Sequence, residues 1–404
     1  MPRQGPLAGA VILIWQFMDS DAFRLDVHNS IHAIDPADWN RLAGTENPFI
    51  QYDFLSALED GGAVGAASGW NIAHLALYDT SNKLLGVAPH YLKQHSYGEY
   101  IFDHSWAHAF ERAGRAYYPK SLSAVPFTPA TGPRLLVTNG DAAQKVAMAR
   151  GLASLAEQNQ LSSSHINFLP AEDTALLADA GWLIRRGTQF HWHNDGYENF
   201  DAFLDNLSSR KRKNIRKERA NVRDAGVEML ALTGADIKPH HIDHFYRFYL
   251  STIDRKWGGA YLTRAFFDIV YNTMADRILL VMAIYDGALI GGALNFVGAD
   301  TLYGRNWGAT THIQNLHFEA CYYQAIDFAI AHKLRRVEAG AQGFHKVQRG
   351  YLPVTTYSAH WIPHDGFRTA IARFLRAETD GVADEQNQIA LASPFKKLGS
   401  DSSC

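Results

Sequence analysis

Two apolar runs joined by a two-residue turn constrain the fold of this chain more than any other feature. The runs, residues 278–285 (ILLVMAIY) and 288–297 (ALIGGALNFV), flank Asp286-Gly287. A dipeptide of this type between runs of β-forming residues is a strong signal for a tight antiparallel hairpin. The segment TLYGRNW, which begins at residue 301, is rich in β-formers and predicts a third antiparallel strand.

The periodicity then changes from that of a strand to that of a helix. Between residues 316 and 332 apolar side chains recur at steps of three and four, which is typical of one face of a helix. Strands are predicted at 335–339 and 355–361, with a glycine-rich loop between them. The predicted order is therefore three strands, a helix and two strands.

A similar order is predicted upstream. The expected elements are strands at 70–78, 84–92 and 98–104, a helix over 142–158 and a strand at 165–169. The repeated order predicts an α/β (α+β) fold of two tandem lobes, each a mostly antiparallel mixed sheet flanked by helices. A length of 404 residues agrees with two lobes, because it exceeds what a single core usually covers.

Domain boundaries follow from this order. The first lobe is predicted to span residues 20–190 and the second, which carries the main site, residues 191–376. An insertion at 105–140 is rich in aromatic residues and proline, and a connection of this length is usually functional or disordered. Its aromatic residues argue against disorder. Residues 1–19 are predicted to be a leader outside the fold, and the polar residues 377–404 a flexible tail.

Composition excludes several classes of protein. A net charge of −3 gives no general attraction to DNA or anionic membranes, so a polyanion site must be a local patch. The two cysteines, Cys321 and Cys404, exclude a disulfide framework and fit a reducing, cytoplasmic compartment. The histidines lack metal-ligand spacing, so no metal site is predicted. The apolar run at 7–18 is too short to cross a bilayer, and no hydrolase, nucleotide-loop or dinucleotide motif is present.

Residues 210–219 form a dense cluster of positive charge. Seven of these ten residues are Lys or Arg, and one, Glu218, is acidic. Mutual repulsion among the cations favours a nearby anion, although a solvated helix face is an equally good interpretation. The candidate anion-binding residues are Arg210, Arg212, Lys213 and Arg216. The apolar residues of the region fall on one face of a helix and predict how it docks: Leu204, Leu207, Ile215 and Val222.

The segment from Glu338 to Tyr351 combines titratable groups with glycines at the end of a predicted strand. Acyl transfer to an amine needs a base for the ammonium proton and a donor for the acyl oxygen. Glu338 and His345 are candidate bases, and Lys346 and Arg349 are candidate partners for an anion or oxyanion. An ion pair of Glu338 with a neighbouring arginine, and a turn-capping role for His345, are the structural alternatives.

Several segments resemble the FemAB-like branch of the GNAT acyltransferase superfamily. In the second half these are LSSRKRKNIRKERANVRDAGVEML, HFYRFYLSTIDRKWGGAYLTRAFF and LYGRNWGATTHIQNLHFEACYYQAIDFAIAHKLRRVEAGAQGFHKVQRGYLP. In the first half they are NPFIQYDFLSALE, HSYGEYIFDHSWA and YYPKSLSAVPFTPATGPRLL. The resemblance covers roughly residues 30–365. It points to a subfamily loosely described as peptidoglycan-biosynthesis proteins, and it implies two GNAT-like lobes.

The resemblance also implies a function. It implies an N-acyltransferase or an aminoacyl-tRNA-dependent aminoacyltransferase, with acyl-CoA or aminoacyl-tRNA as co-substrate, an amine-bearing acceptor and no permanently bound cofactor. Superfamily members that use acetyl-CoA hold its pyrophosphate with the pattern R-x-x-G-x-G/A, which Arg305 and Gly308 match here; the predicted donor contacts at this turn are Arg305, Trp307 and Gly308. Thr310 stands where glycine or alanine is expected, which weakens CoA as the donor. A non-catalytic protein that binds RNA or a cell-wall precursor is the alternative.

The resemblance places the acceptor between residues 338–349 and the aromatic insertion, with backbone amides at a strand kink polarising the acyl carbonyl. His317 and Glu319 cannot chelate one metal ion, because residues two apart on a helix do not face each other. Complementing the helix dipole is the simpler alternative for Glu319. The remaining predicted substrate contacts are Tyr303, His317, Glu319, Gln342, Tyr351, Trp106, Tyr118 and Lys120.

Overall fold

A large mixed sheet and a smaller antiparallel sheet, both flanked by helices, make up the described part of the chain, in agreement with the predicted α/β fold class. The computed structural model describes residues 16–19, 23–254, 259–340 and 343–396. The strands are β1 (Gln16–Asp19), β2 (Phe23–His28), β3 (Trp70–Ile72), β4 (His74–Asp79), β5 (Leu84–Ala88), β6 (His90–Lys93), β7 (Lys120–Ser123), β8 (Leu136–Val137), β9 (Ser164–Leu169), β10 (Leu183–His193), β11 (Val227–Thr233), β12 (Ile278–Tyr285), β13 (Ala288–Val297), β14 (Thr301–Ala309), β15 (Arg336–Glu338) and β16 (Leu352–Trp361).

The helices cover both faces of the sheets. They are α1 (Pro36–Ala43), α2 (Tyr52–Asp60), α3 (His104–Arg112), α4 (Ala142–Gln158), α5 (Asp173–Asp179), α6 (Phe200–Asp205), α7 (Ser209–Asp224), α8 (Pro239–Asp254), α9 (Arg264–Met274), α10 (Leu316–Phe318), α11 (Gln324–Ala331) and α12 (Asp365–Leu391). A π-helical turn, Glu319–Tyr323, joins α10 to α11. No helix in the described ranges is long and apolar enough to cross a membrane.

The larger sheet runs through both halves of the chain. Its order is β11-β12-β13-β14-β15-β10-β16-β9-β7-β6-β3, and the smaller sheet has the order β1-β2-β4-β5-β8. β10 pairs with β15 on one edge and with β16 on the other. The predicted boundary between residues 190 and 191 therefore falls inside a strand that the two halves share.

The predicted hairpin is confirmed as β12 and β13, which pair antiparallel up to Tyr285↔Ala288. Asp286 and Gly287 both have positive φ, 49° and 71°, which is the backbone that the tightest hairpin turns require. The third strand (β14) and the helix after it are also confirmed.

Two predictions in the first half are wrong. The segment 98–104 is not a strand: Gly98 and Tyr100 have φ of 79° and 59°, which break an extended chain, and α3 begins at His104. The insertion at 105–140 is not irregular either. It contains most of α3, all of β7 and β8, and β7 lies inside the larger sheet.

The chain ends also differ from the prediction. The expected flexible tail begins at residue 377, but α12 continues to Leu391 because Leu375 and Ile389 are buried and Glu378 pairs with Arg185 at 2.7 Å. Within the predicted leader, Gln16–Asp19 pairs antiparallel with β2. Residues 1–15 and 397–404 lie outside the described residues.

The predicted apolar face of the basic region is buried, but it spans two helices. Ile215 and Val222 belong to α7, whereas Leu204 belongs to α6 and Leu207 to the turn after it. α7 therefore docks through few apolar contacts, and most of its surface carries charge.

Candidate functional site

Strands β14 and β15 diverge and open a gap in the larger sheet. Their parallel pairing covers Thr301↔Arg336 to Tyr303↔Glu338. β14 continues to Ala309 against β13, and no β15 partner is described for residues 304–309. A β-bulge leaves Arg305 as an extra residue between Gly304 and Asn306. Such bulges bend a strand and take backbone groups out of the ladder.

A cavity of about 820 Å³ occupies this gap. On one side it is lined by α8 and nearby residues; on the other it is lined by the π-helical turn and the loop after β15. α8 packs with Leu280 and Met282, whereas α11 packs with Leu279 and Val281 on the opposite face of the same strand. The cavity therefore reaches both faces of the sheet. Its lining includes Tyr100, Tyr249, Thr252, Tyr261, Arg305, Trp307, His317, Cys321, Tyr322, His345 and Lys346.

His345 lines this cavity, and one of its ring nitrogens is held by a hydrogen bond. Its Nε2 atom lies 2.9 Å from the Tyr322 hydroxyl oxygen. Burial, with Arg349 and Lys346 nearby, lowers the pKa of His345 below its usual 6.5, so the ring is neutral at pH 7. Gly343, at φ 113°, allows the close approach of the ring, because a Cβ atom there would collide with it. A neutral imidazole in this position can accept a proton from a ligand.

Lys346 is buried at the cavity wall. Its Nζ donates to the backbone carbonyls of Ala339, at 2.5 Å, and Gly340, at 3.0 Å. Burial lowers the pKa of Lys346 to about 8. An ammonium group has three N–H donors, so two carbonyl partners leave one donor for a ligand.

Glu338 is not brought to the cavity. Successive strand residues point to opposite faces, and Val337 packs with α11. Glu338 accordingly points to the other face, where its carboxylate lies 3.6 Å from Arg336 and 3.9 Å from His191. Burial raises the pKa of Glu338 to about 7, against the lowering effect of Arg336. Glu338 thus forms an ion pair with Arg336, which is the structural alternative that the sequence had suggested.

The basic helix does not line the cavity either. It lies behind the π-helical turn, where Arg219 donates to Glu319 at 3.0 Å and Glu218 accepts from Arg349 at 2.7 Å. Of the basic helix, Glu338 and His345, only His345 lines the cavity.

Two residues of the predicted pyrophosphate motif have packing roles. The Arg305 guanidinium donates to the Phe127 carbonyl and lies 3.3 Å from the Thr128 hydroxyl, so it ties the aromatic insertion to the cavity wall. A Cβ atom on Gly308 would overlap the Phe248 carbonyl, so glycine permits α8 to cross β14 closely. Trp307 does line the cavity, with its ring 5.6 Å from that of His317.

Other predicted substrate contacts are structural. Tyr303 and Tyr351 are buried in the two cores on either side of the sheet, and Arg349 stacks on Phe318 at 3.4 Å. Glu319 is buried against Arg219. Gln342 lies outside the described residues.

Of the three residues predicted in the aromatic insertion, Tyr118 and Lys120 belong to a polar cluster of the first half, and Trp106 belongs to an apolar cluster beside it. Lys120 is fully buried and donates to Glu99 at 2.8 Å and also to Asp103. The Tyr118 hydroxyl lies 2.8 Å from Ser96. Trp106 packs edge-on against His360 at 5.0 Å.

Sequence reasoning missed the contribution of α8. The Thr252 hydroxyl donates to the Trp307 carbonyl at 2.8 Å, and the Tyr249 hydroxyl accepts from the Leu262 amide at 3.1 Å. The sequence of α8 has the apolar and polar pattern of an ordinary amphipathic helix. Only the structure, in which α8 crosses β14, shows that this helix lines the cavity. In the described ranges no group of three potential ligands could hold a metal ion.

Comparison with known proteins adds the family. A FemAB-like family model, described as peptidoglycan biosynthesis/recognition, matches residues 30–397. The structure of FemX superposes with a TM-score of 0.53 at 10% identity, covering 84% of this chain and 98% of FemX. The C-terminal domain of a putative lysylphosphatidylglycerol synthetase from Agrobacterium fabrum gives 0.51 at 7% identity, covering 84% and 96%. These two structures share the fold. No curated protein matches the sequence significantly.

Proposed function

The chain belongs to the FemAB-like family, and from that premise we propose that it transfers an acyl or aminoacyl group from a polyanionic carrier to an amine-bearing acceptor. The observation that carries the proposal is the cavity between β14 and β15, which reaches both faces of the sheet. Carrier and acceptor can enter such a cavity from opposite faces and meet beside His345 and Lys346. A cytoplasmic location belongs to the same proposal, since charged tRNA and acyl-CoA are cytoplasmic.

The proton step falls to His345. In the tautomer that donates Nε2–H to the Tyr322 oxygen, Nδ1 is the acceptor for a proton of the substrate ammonium. The freed amine then attacks the acyl carbon and forms the new C–N bond. The proton on His345 then passes to the departing oxygen or sulfur of the carrier as its bond to the acyl carbon breaks, and the nitrogen of the new amide loses its second proton to solvent.

Lys346 stabilises the charge that develops on the acyl oxygen. The tetrahedral intermediate carries a negative oxygen, and a preorganised cation at a water-poor wall stabilises it more than water would. The two carbonyl partners of Lys346 fix its position before substrate binds. Backbone amides released by the bulge at Arg305 are the second candidate donors.

The structure favours aminoacyl-tRNA over acyl-CoA as the carrier. Two residues of the predicted pyrophosphate motif are taken up by contacts within the protein: Gly308 lies against α8, and Arg305 donates to the Phe127 carbonyl. An exposed row of cations on α7 can instead bind an elongated polyanion such as tRNA. We call this row the basic stripe (Arg210, Lys213 and Lys217). These three lie at helical steps of three and four, opposite buried Ile215. Arg212 and Arg216 are already paired with Asp205 and Asp201.

Removing the basic stripe tests the carrier. The triple change Arg210→Gln, Lys213→Gln and Lys217→Gln is expected to weaken binding of charged tRNA and to flatten its salt dependence, because each lost phosphate contact lowers the slope of log K against log salt by about 0.7 to 0.9. Binding is measured by filter retention across a salt series. Turnover is measured in parallel as transfer of a labelled aminoacyl or acyl group to amines.

A matched control removes the same charge elsewhere, through Lys83→Gln, Lys238→Gln and Lys333→Gln, all exposed positions. It should leave the slope unchanged. If the slope of log K against log salt were the same in both triple variants, α7 would not belong to the carrier site. If the protein retained tRNA but transferred no group to amines, the proposed transferase activity would be wrong.

A further inference from the structure

α7 carries a single acid inside its run of cations. Glu218 stands among the seven cations of residues 210–219. An acid on a helix surface usually pairs with a cation three or four positions away. The residues at those positions from Glu218 are Asn214, Ile215, Asn221 and Val222, and none of them is charged. The charge of Glu218 therefore does not stabilise the helix itself, and its partner lies on another element.

That partner is Arg349, which binds both carboxylate oxygens of Glu218. Arg349 donates from Nη2 to Oε1 at 2.7 Å and from Nε to Oε2 at 3.1 Å. The Tyr323 hydroxyl donates to the same Oε2 atom. Arg349 is 6% exposed. Two-point contact between a guanidinium and a carboxylate fixes the orientation of both groups, so α7 sets the place of Arg349.

Arg349 in turn holds the backbone of His345. Its Nη1 donates to the His345 carbonyl at 2.7 Å, and its guanidinium lies 3.4 Å from the centre of the Phe318 ring. Two glycines with positive φ, Gly343 at 113° and Gly350 at 90°, bound the turn that carries His345. Glycine gives a chain little steric restraint, so the contact with Arg349 restrains this turn on the side of His345.

The π-helical turn provides a second route from Glu218 to His345. Its neighbouring residues Tyr322 and Tyr323 reach different partners. Tyr323 donates to Glu218, whereas Tyr322 lines the cavity and lies 2.9 Å from His345 Nε2. π-helical turns are frequent at functional sites. The contacts that hold the backbone and the ring of His345 therefore both lead back to one carboxylate on α7.

We propose that Glu218 positions His345 for proton transfer and thereby links the carrier helix α7 to the reacting atoms. Glu218 does not line the cavity, so it acts through Arg349 and Tyr323 as a positioning residue. The basic stripe lies on the same helix, and a polyanion bound along it steadies α7 against the π-helical turn. The proposal rests on the proposed transferase function, with tRNA as the carrier.

Hydrogen exchange of the full chain, read by mass spectrometry over residues 344–351, tests the positioning without turnover. The amides of Lys346, Gly350 and Tyr351 are hydrogen-bonded within this segment. Glu218→Gln is expected to speed their exchange about tenfold, because a charge-assisted contact to the turn is weakened. Deacylated tRNA should slow exchange of the same segment in the wild type, and this protection should be lost in Glu218→Gln.

Asp224→Asn is the matched control, because Asp224 is the other acid of α7 and its side chain is 70% exposed. Both variants remove one negative charge from the same helix and should bind tRNA equally well. Only Glu218→Gln should lower kcat for transfer from charged tRNA, about tenfold to a hundredfold. Glu218→Asp keeps the charge but shortens the side chain, so it should give smaller changes in exchange and kcat, and it tests the same contact if Glu218→Gln does not fold.

The outcomes separate this proposal from the transferase function. Equal exchange over residues 344–351 in Glu218→Gln and Asp224→Asn would overturn the positioning role, and so would an equal fall of kcat in the two variants. Protection by tRNA that persists in Glu218→Gln would overturn the link to the carrier. A protein that transfers no group would contradict the transferase, whereas faster exchange in Glu218→Gln would still support the positioning of His345.

Discussion

Replacing Lys346 by methionine is expected to lower kcat for acyl transfer by about 10²- to 10³-fold, the usual effect of removing one donor to a developing oxyanion. KM for the acceptor should change little, because the interaction strengthens only in the transition state. Removing a buried charge together with its hydrogen bonds leaves the free energy of unfolding within about 1–2 kcal/mol of wild type. Steady-state kinetics and urea unfolding measure both quantities.

The pH–rate profile distinguishes catalysis from packing. Since burial lowers the pKa of Lys346 to about 8, the ammonium form and kcat should be lost as pH rises through about 8. Lys346→Arg carries a guanidinium that stays charged, so the alkaline fall should disappear from its residual activity. Because the pKa of His345 is lowered, kcat should fall on the acid side only below about pH 6.5, where the imidazole becomes protonated. An alkaline limb that is the same in Lys346→Arg and in wild type would assign that titration to another group.

Replacing Lys120 by methionine is expected to lower the free energy of unfolding by about 3–5 kcal/mol, because it leaves the buried Asp103 carboxylate without its cation and Glu99 with only Lys93, 4.0 Å away. Burial opposes the charge of Lys120, but these two carboxylates outweigh it and raise its pKa. Thermal and urea unfolding measure the loss.

Lys217→Met is the matched control for this change, because Lys217 is exposed, and it should stay within about 0.5 kcal/mol of wild type. Equal stability of the two variants would mean that the Lys120 cluster is not ionised as described. The double change Lys120→Met with Glu99→Gln should recover part of the loss, since it removes one stranded charge.

Local sequence signals account for the elements that were predicted correctly. The β12–β13 turn needs two residues with positive φ, and Asp286-Gly287 supplies them. In the helix after β14, apolar residues recur every three or four positions, so the sequence alone predicts the helix. The missed elements depend on distant contacts: α12 continues past residue 377 because Glu378 meets Arg185, nearly two hundred residues earlier.

The site was predicted in part for the same reason. Trp307 lies near the end of β14, His317 follows that strand, and His345 and Lys346 follow β15; the fold brings all four to one cavity. Glu338 is one residue away from Ala339, which lines the cavity, but its own side chain is buried beside Arg336 and His191. The burial of Lys120 requires two carboxylates from a loop that was predicted to be a strand, so from the sequence alone Lys120 was predicted to be a substrate contact.

A crystal structure of the full chain with an amide-linked, non-hydrolysable analogue of the aminoacylated 3′ end of tRNA is the most direct test of where the acyl group is transferred. We expect density for the acyl carbonyl in the gap between β14 and β15, within hydrogen-bond distance of Lys346 Nζ and next to the His345 ring. An analogue bound with its acyl group outside this gap, at the face of Glu338 or along α7, would contradict the proposed site.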